Sequence, residues 1–177
     1  IANTADVIYN SDDYMVRDMR LYQPSLHTYG GKKANAELII THTNISGAGS
    51  LIVCVPIMKG ASSDSTLNDI VNSVARLAPK EGSNAGQITK PNFSLNNLVP
   101  NKPYFSYTGT LPFPPCNGEY DYVVFNKEDA LNISNQSYRT LQRIIVANQY
   151  KTRPPRDRLF YNKDGPSTGK GKDEIYI

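Results

Sequence analysis

Tryptophan is absent from this chain of 177 residues, and histidine and cysteine occur only twice each. Cys54 and Cys116 match no metal-knuckle spacing, which leaves two free thiols or a single bridge. Cys54 sits within the apolar run SLIVCVPIMKG and reads as a buried thiol. Long hydrophobic runs are lacking as well. That run and the short IIV stretch fall far below the roughly 20 residues that span a bilayer, so no transmembrane segment is expected. No basic, apolar and small-residue pattern opens the chain, so any targeting segment is expected to have been removed or to lie outside it. Neither an internal repeat nor a second compositional domain is visible. With 39% hydrophobic residues the chain can build one sizeable core. We expect a domain over residues 1–165 and a flexible basic tail over 166–177, where STGKGKD precedes EIYI. That apolar ending could pair with a neighbour's sheet edge or stay disordered.

Acidic residues are scarce near the C-terminus. Residues 1–137 hold 10 Lys/Arg and 12 Asp/Glu, whereas 138–177 hold 9 and 4. Such a segment, with Arg139, Arg143, Arg153, Arg156 and Arg158, attracts polyanions such as nucleic acid, sulfated sugar or acidic protein faces without choosing among them. A solvated surface with a loose tail has the same composition. Sequons at Asn44, Asn92, Asn132 and Asn135 would permit glycosylation in a secretory setting.

What is present is the punctuation of a β protein, short apolar or alternating runs between Gly, Pro, Asn and Ser. Strands are predicted over 14–22, 36–44, 50–58, 104–108 and 119–125. Two helices interrupt them. Leu67, Ile70, Val71, Val74 and Leu77 recur at helical spacing after an Asp64 or Ser65 cap and before Pro79, which predicts a helix with one face on the sheet. Tyr138, Leu141, Ile144 and Ile145 repeat the pattern after a Ser/Asn-rich entry, with Arg139 and Arg143 on the opposite face. The 12 tyrosines suit either interfaces or packing on sheets.

His27, Glu37 and His42 lie close together in QPSLHTYGGKKANAELIITHTN, and two imidazoles with a carboxylate are metal-ligand types. That segment resembles the α-carbonic anhydrases, in which a Pro-Ser-Glu-His turn and a glycine precede a Glu-Leu-His-Leu-Val-His strand. LIVCVPIMKG resembles that family's next central strand. YFSYTGTLPFPPCNGEYDYVVF resembles its Tyr-x-Gly-Ser-Leu-Thr-Thr-Pro-Pro-Cys signature, and NQYKTRPPRDRLFY its Asn-x-Arg-Pro segment. The match runs from about Val7 to about Tyr161 and leaves the family's N-terminal third without a counterpart. A fragment is expected, or a domain whose missing edge other polypeptide completes. The implied fold is mainly β with a few helices: a central twisted, largely antiparallel sheet with peripheral helices.

The resemblance also implies where chemistry would sit. The family's zinc takes three histidines and leaves one position open for water. Those positions fall on Arg20, Tyr22 and Ile39, of which Arg20 has no free lone pair and Ile39 no donor. The threonine and glutamate of the hydroxide relay fall on Pro112 and Leu26, and the threonine on the substrate side falls on Phe113, which removes general-base assistance. No catalytic residue, metal or other cofactor is therefore expected. His27, Glu37 and Tyr107 match a structural hydrogen-bonded cluster, and His42 matches a histidine that points away from the metal, with a satisfied core role. Gly30, Gly31 and Gly109 read as turn residues with unusual backbone angles, PFPPC as a rigid loop with one cis prolyl bond, and Tyr122 as a stand-in for a family tryptophan.

The expected function is a non-catalytic structural or interaction module whose partners are other protein subunits of an assembly. Family analogy suggests the capsid or virion of a large DNA virus. The alternatives are a cell-surface module that binds sulfated glycan through the five arginines, and an enzyme with a repurposed cleft around Arg20 and Tyr22. No specific nucleic-acid partner is expected.

Overall fold

A computed structural model describes residues 5–47, 49–78, 94–156, 158–166 and 175–176. The two longest alternating and apolar runs become the centre of a sheet. β5 (Ala36–Asn44) and β6 (Ser50–Gly60) pair antiparallel in register Ile39 with Cys54 and Ile40 with Val53. All of β5 but Thr43, and Leu51–Ile57 of β6, are buried, so apolar side chains are needed on both faces. β2 (Asp12–Tyr22) lies beyond β5, followed by β1 (Val7–Tyr9). On the other side β8 (Tyr120–Phe125) runs parallel to the first half of β6 and leads to β7 (Tyr104–Gly109) and β10 (Phe160–Asn162). β9 (Leu131–Ser134) runs parallel to the second half of β6. A hairpin of β3 (Thr28–Tyr29) and β4 (Lys32–Lys33) stands apart, turning at Gly30 and Gly31 with φ of +56° and +77°.

The sheet separates two apolar layers. One contains Leu38, Ile40, Val53 and Val55 and is closed by α1 (Ser65–Leu77) and α2 (Asn135–Ile144), which pack on each other and on β9. Asp64 caps α1 by accepting the Leu67 N–H at 3.1 Å, and Ser134 caps α2 by accepting the Ser137 N–H at 3.0 Å. Only Leu67 and Val71 of α1 are buried. Val74 and Leu77, expected on the covered face, are 42% and 48% exposed, because α1 leans on α2 and on the short strand β9, which leave that end of its face partly uncovered. Pro79 lies outside the described residues.

The other layer contains Ile39, Ile52, Cys54, Phe113 and Tyr122. A register shift between Val16 and Asp18 decides what β2 contributes to it. Before the shift Tyr14 and Val16 face the helix side; after it Leu21 does, and Arg20 and Tyr22 turn to the opposite face.

Several local expectations meet the structure differently. Gly109 has no positive φ; it ends β7 where a Cβ would stand 3.0 Å from the Tyr122 ring and 3.1 Å from that of Tyr107, so close approach of two rings requires it. Cys54 is a buried free thiol and Cys116 an exposed one. The Asn44 side chain is buried and accepts the Ser46 N–H at 2.8 Å, so it is closed to glycosylation, whereas Asn132 and Asn135 are exposed and Asn92 is not among the described residues. Pro114–Pro115 is cis, as is Gln23–Pro24. The backbone of β11 (Ile175–Tyr176) pairs with β1 of the same chain. No described helix is long and apolar enough to cross a membrane.

Candidate functional site

Arg20, Tyr22 and Ile39 come together on the face opposite the helices. Arg20 is paired directly with Ile39 across the β2–β5 ladder, Tyr22 with Glu37, and Ile39 with Cys54 on its other side. Ile39 is fully buried and packs with Leu111, Phe113 and Val124, with Leu26 and Tyr22 at the margin of that cluster. Burying the Ile39 side chain alone is worth about 2 kcal/mol. The Arg20 guanidinium lies with Cζ 3.4 Å from the Phe113 ring centroid, a cation–π contact, and reaches Asp18 at 3.4 Å in an exposed pair of little energetic weight. Pro112 is half-buried between Leu111 and Phe113.

Beside this hydrocarbon floor lies a polar knot. Glu37 is fully buried and accepts four hydrogen bonds: the Leu26 and His27 backbone N–H groups on Oε2 at 2.6 and 3.0 Å, and His27 Nδ1 and the Tyr29 hydroxyl on Oε1 at 2.6 and 3.0 Å. The other His27 nitrogen, Nε2, is 2.7 Å from the Tyr107 hydroxyl. Tyr107 stacks on Tyr122, whose hydroxyl donates to the Thr110 carbonyl at 2.6 Å. Burial opposes the Glu37 charge, yet the His27 ring and the surrounding donors outweigh it and hold the carboxyl below its ordinary pKa. Burial raises the Tyr29, Tyr107 and Tyr122 phenols, helped by the negative charge of Glu37, so all three stay protonated donors.

His27, Glu37 and Cys54 place one potential metal-ligand atom each within 4.8 Å of the others. Cys54 was not read from the sequence as part of this group; alternation along β6 could have placed it on the face of Ile39, to which it is paired. The group is built for protons rather than for a metal. Both Glu37 oxygens and both His27 nitrogens are committed to hydrogen bonds, and burial pushes the Cys54 thiol well above its ordinary pKa.

His42 lies on the other face, buried among the helix-side layer, and both ring nitrogens lack a hydrogen-bond partner. The core position expected for it is found, but without a well-formed partner: the flanking strands supply hydrocarbon from Val16 and Leu51 in register, and only the Leu51 and Ile40 backbone comes near the ring. Burial lowers its pKa to about 4, and the nearby backbone of Leu51 and Ile40 offsets this only in part. Because the folded pKa is below the unfolded one, the unfolded chain takes up a proton first as pH falls. Stability is therefore full above about pH 6.5 and lost down to about pH 4, by about 3 kcal/mol if His42 acted alone. His42→Leu should flatten that part of a urea-stability profile against pH and add about 1 kcal/mol at pH 7, since an unpaired buried polar group is removed.

The five arginines are all exposed. Arg139 and Arg143 lie on the outer face of α2, and Arg153, Arg156 and Arg158 on the irregular segment before β10, with Arg158 Cζ 5.9 Å over the Phe160 ring.

A mixed, curled sheet with helices on one face and a floor at three clustered positions defines a carbonic-anhydrase-like fold. The family model for eukaryotic-type carbonic anhydrase matches residues 11–162, and the chain belongs to that family. It is 25% identical over 125 residues to alpha carbonic anhydrase 2 of Arabidopsis thaliana, covering 70% of this chain and 49% of the relative. It is 28% identical over 116 residues to a carbonic anhydrase of Klebsiella pneumoniae, covering 64% and 44%. The chain thus spans about half the length of the curated relatives it matches. Its fold is similar to the α-carbonic anhydrase of Thermovibrio ammonificans, with a TM-score of 0.72 at 20% identity over 87% of this chain and 65% of the other. It is also similar to dioscorin crystallised with ascorbate, with a TM-score of 0.69 at 18% identity over 90% and 66%. At the three positions that the resemblance assigns to the family's zinc ligands stand a guanidinium, a phenol and a sec-butyl hydrocarbon, a donor set that does not fit that metal.

Proposed function

We propose that this chain is a carbonic-anhydrase-family domain without the family's zinc chemistry, acting as a structural and interaction module in a larger assembly. The observation that carries this reading is Ile39, buried between Arg20 and Cys54 in the strand ladder and packed against Phe113, where a ligand would have to stand. Arg20 turned onto the Phe113 ring weighs against a repurposed catalytic cleft. The assembly we favour is a virion, on family analogy alone. After loading with excess zinc and dialysis, the purified chain should retain substoichiometric metal and should not accelerate carbon dioxide hydration over buffer. Stoichiometric zinc with turnover would overturn the proposal.

The five exposed arginines favour a second reading, attachment to sulfated glycan. It predicts heparin binding that weakens steeply as salt shortens the Debye length below about 10 Å, and that falls when Arg153, Arg156 and Arg158 are replaced together by serine.

A further inference from the structure

His42 is a buried titratable ring outside the polar knot. The described residues seal it by themselves, at 1% exposure, and neither ring nitrogen has a hydrogen-bond partner among them. Its environment is therefore set inside the domain, whatever packs against the outer strands. In the cross-strand row through His42, β2 supplies Val16 and β6 supplies Leu51, both hydrocarbon. Asp121 of β8 stands beyond Leu51, and Tyr14 of β2 stands opposite Asn44, two residues along β5. The Leu51 and Ile40 backbone and the Asp6 carboxylate favour a cation on the ring, but less than burial opposes it. Burial raises the Tyr14 phenol, which stays neutral. Burial and the Glu119 charge raise the Asp121 carboxyl, so its protonation adds stability as pH falls and works against any opening.

The sheet is interrupted beside the same row. Val16 pairs with His42 and Asp18 with Thr41, which leaves Arg17 as an extra residue on β2. The Val16 N–H is spent on the Asp6 carboxylate at 2.8 Å, and Asp6 donates its own N–H to the Tyr14 carbonyl at 2.9 Å. Residues 6–16 thus form a hairpin of β1 and the first part of β2, tied together by Asp6 and joined to the rest of β2 through the bulge. Its turn holds Asn10 and Ser11 at φ of +51° and +67°, a left-handed conformation that serine seldom adopts.

We infer that His42 is an acid-operated latch: uptake of a proton by its ring releases the β1–β2 hairpin, residues 6–16, from β5 as far as the bulge, while β5, β6 and β8 stay paired. The proton comes from water and ends on an imidazole that needs water around it. Burial holds the closed ring at a pKa of about 4, whereas an exposed ring titrates near 6.5, so the open form binds the proton first as pH falls. Closure is therefore full above about pH 6.5 and lost progressively towards about pH 4. Release takes the paired β11 backbone with it and uncovers Val7, Tyr9 and Tyr14, which the closed hairpin buries. The inference is independent of what the chain binds and of whether it carries zinc.

The test is native-state hydrogen exchange on the full, isotope-labelled chain, corrected for the intrinsic rate at each pH. From about pH 7.5 to about pH 5 the protection of hairpin amides in Val7–Tyr9 and in residues 14–16 should fall about thirtyfold. At both pH values these amides should be less protected than those of residues 53–55 and should respond little to about 1 M urea, as a local opening does and global unfolding does not. His42→Leu and His42→Gln, one apolar and one polar, should both abolish the fall. Asp6→Ala should lower hairpin protection at both pH values and leave the fall in place, because it loosens the tie and spares the ring. The inference is overturned by a parent chain without the fall, by a fall that persists in both His42 variants or vanishes in Asp6→Ala, or by hairpin amides that exchange only together with those of β6.

Discussion

Replacing Glu37 with alanine should cost about 4 kcal/mol of stability, because four donors packed around it lose their acceptor at about 1 kcal/mol each. Glu37 is fully buried and is the common acceptor for two backbone N–H groups, the His27 ring and the Tyr29 hydroxyl. Among the described residues none of these donors has another hydrogen-bond partner that could replace it, apart from the Tyr107 contact on the far side of the His27 ring. At this chain length the loss should lower the melting temperature by roughly 8–16 °C. Glu37→Gln should cost about half as much, since its carbonyl can serve one pair of donors while its amide meets the other pair. Urea titrations of both variants check this. A cost below 1 kcal/mol for alanine, well inside the range of a surface change, would mean that the knot does not hold the turn at Leu26 and His27.

The centre of the molecule was legible because two signals coincide there. The run ELIITHTN and the run SLIVCVPIMKG are long, β-branched and bounded by turn residues, and their strands extend over Ala36–Asn44 and Ser50–Gly60. The cap of α1 was legible to within a residue, as Asp64 or Ser65, whereas that of α2 was legible only as a Ser/Asn-rich entry in which Ser134 turns out to be the capping residue. β9 and β10, at four and three residues, were not: LNIS and FYN alternate too briefly to stand out, and their pairing with β6 and β7 is a long-range choice. The same limit explains Val74 and Leu77. Helical spacing shows that they share a side of α1, but not that α2 and β9 leave that side partly uncovered.

At the site, the family pattern pointed to positions and the bulge in β2 shows what makes them one place. Without the shift between Val16 and Asp18, strict alternation would put Arg20 and Tyr22 on the side of Tyr14 and Val16. Nothing in the local composition of DDYMVRDMRLY marks that irregularity. His42 is the converse case: its core position followed from the family resemblance, but its surroundings depend on which side chains the neighbouring strands bring opposite it.

That geometry yields the second large effect. The triple variant Arg20→His, Tyr22→His, Ile39→His should bind about one zinc ion per chain, because the first and third positions are directly paired and the second is two residues along the same face. The metal-free variant should be weaker than the parent by about 3 kcal/mol, since Ile39 gives up a fully buried hydrocarbon side chain. Zinc at a hundredfold excess over its dissociation constant should return about 2.7 kcal/mol, a recovery of roughly 5–11 °C in melting temperature. The double variant that keeps Ile39 should show neither the uptake nor the recovery. Carbon dioxide hydration should stay far below that of a zinc-loaded family enzyme even in the triple variant, because Pro112 and Leu26 offer neither hydroxyl nor carboxylate for a proton relay. Zinc content, thermal melts with and without metal, and the tetrahedral cobalt spectrum separate these steps. A folded triple variant that takes up no metal would show that Phe113 blocks the floor or that the three positions do not converge closely enough to share an ion.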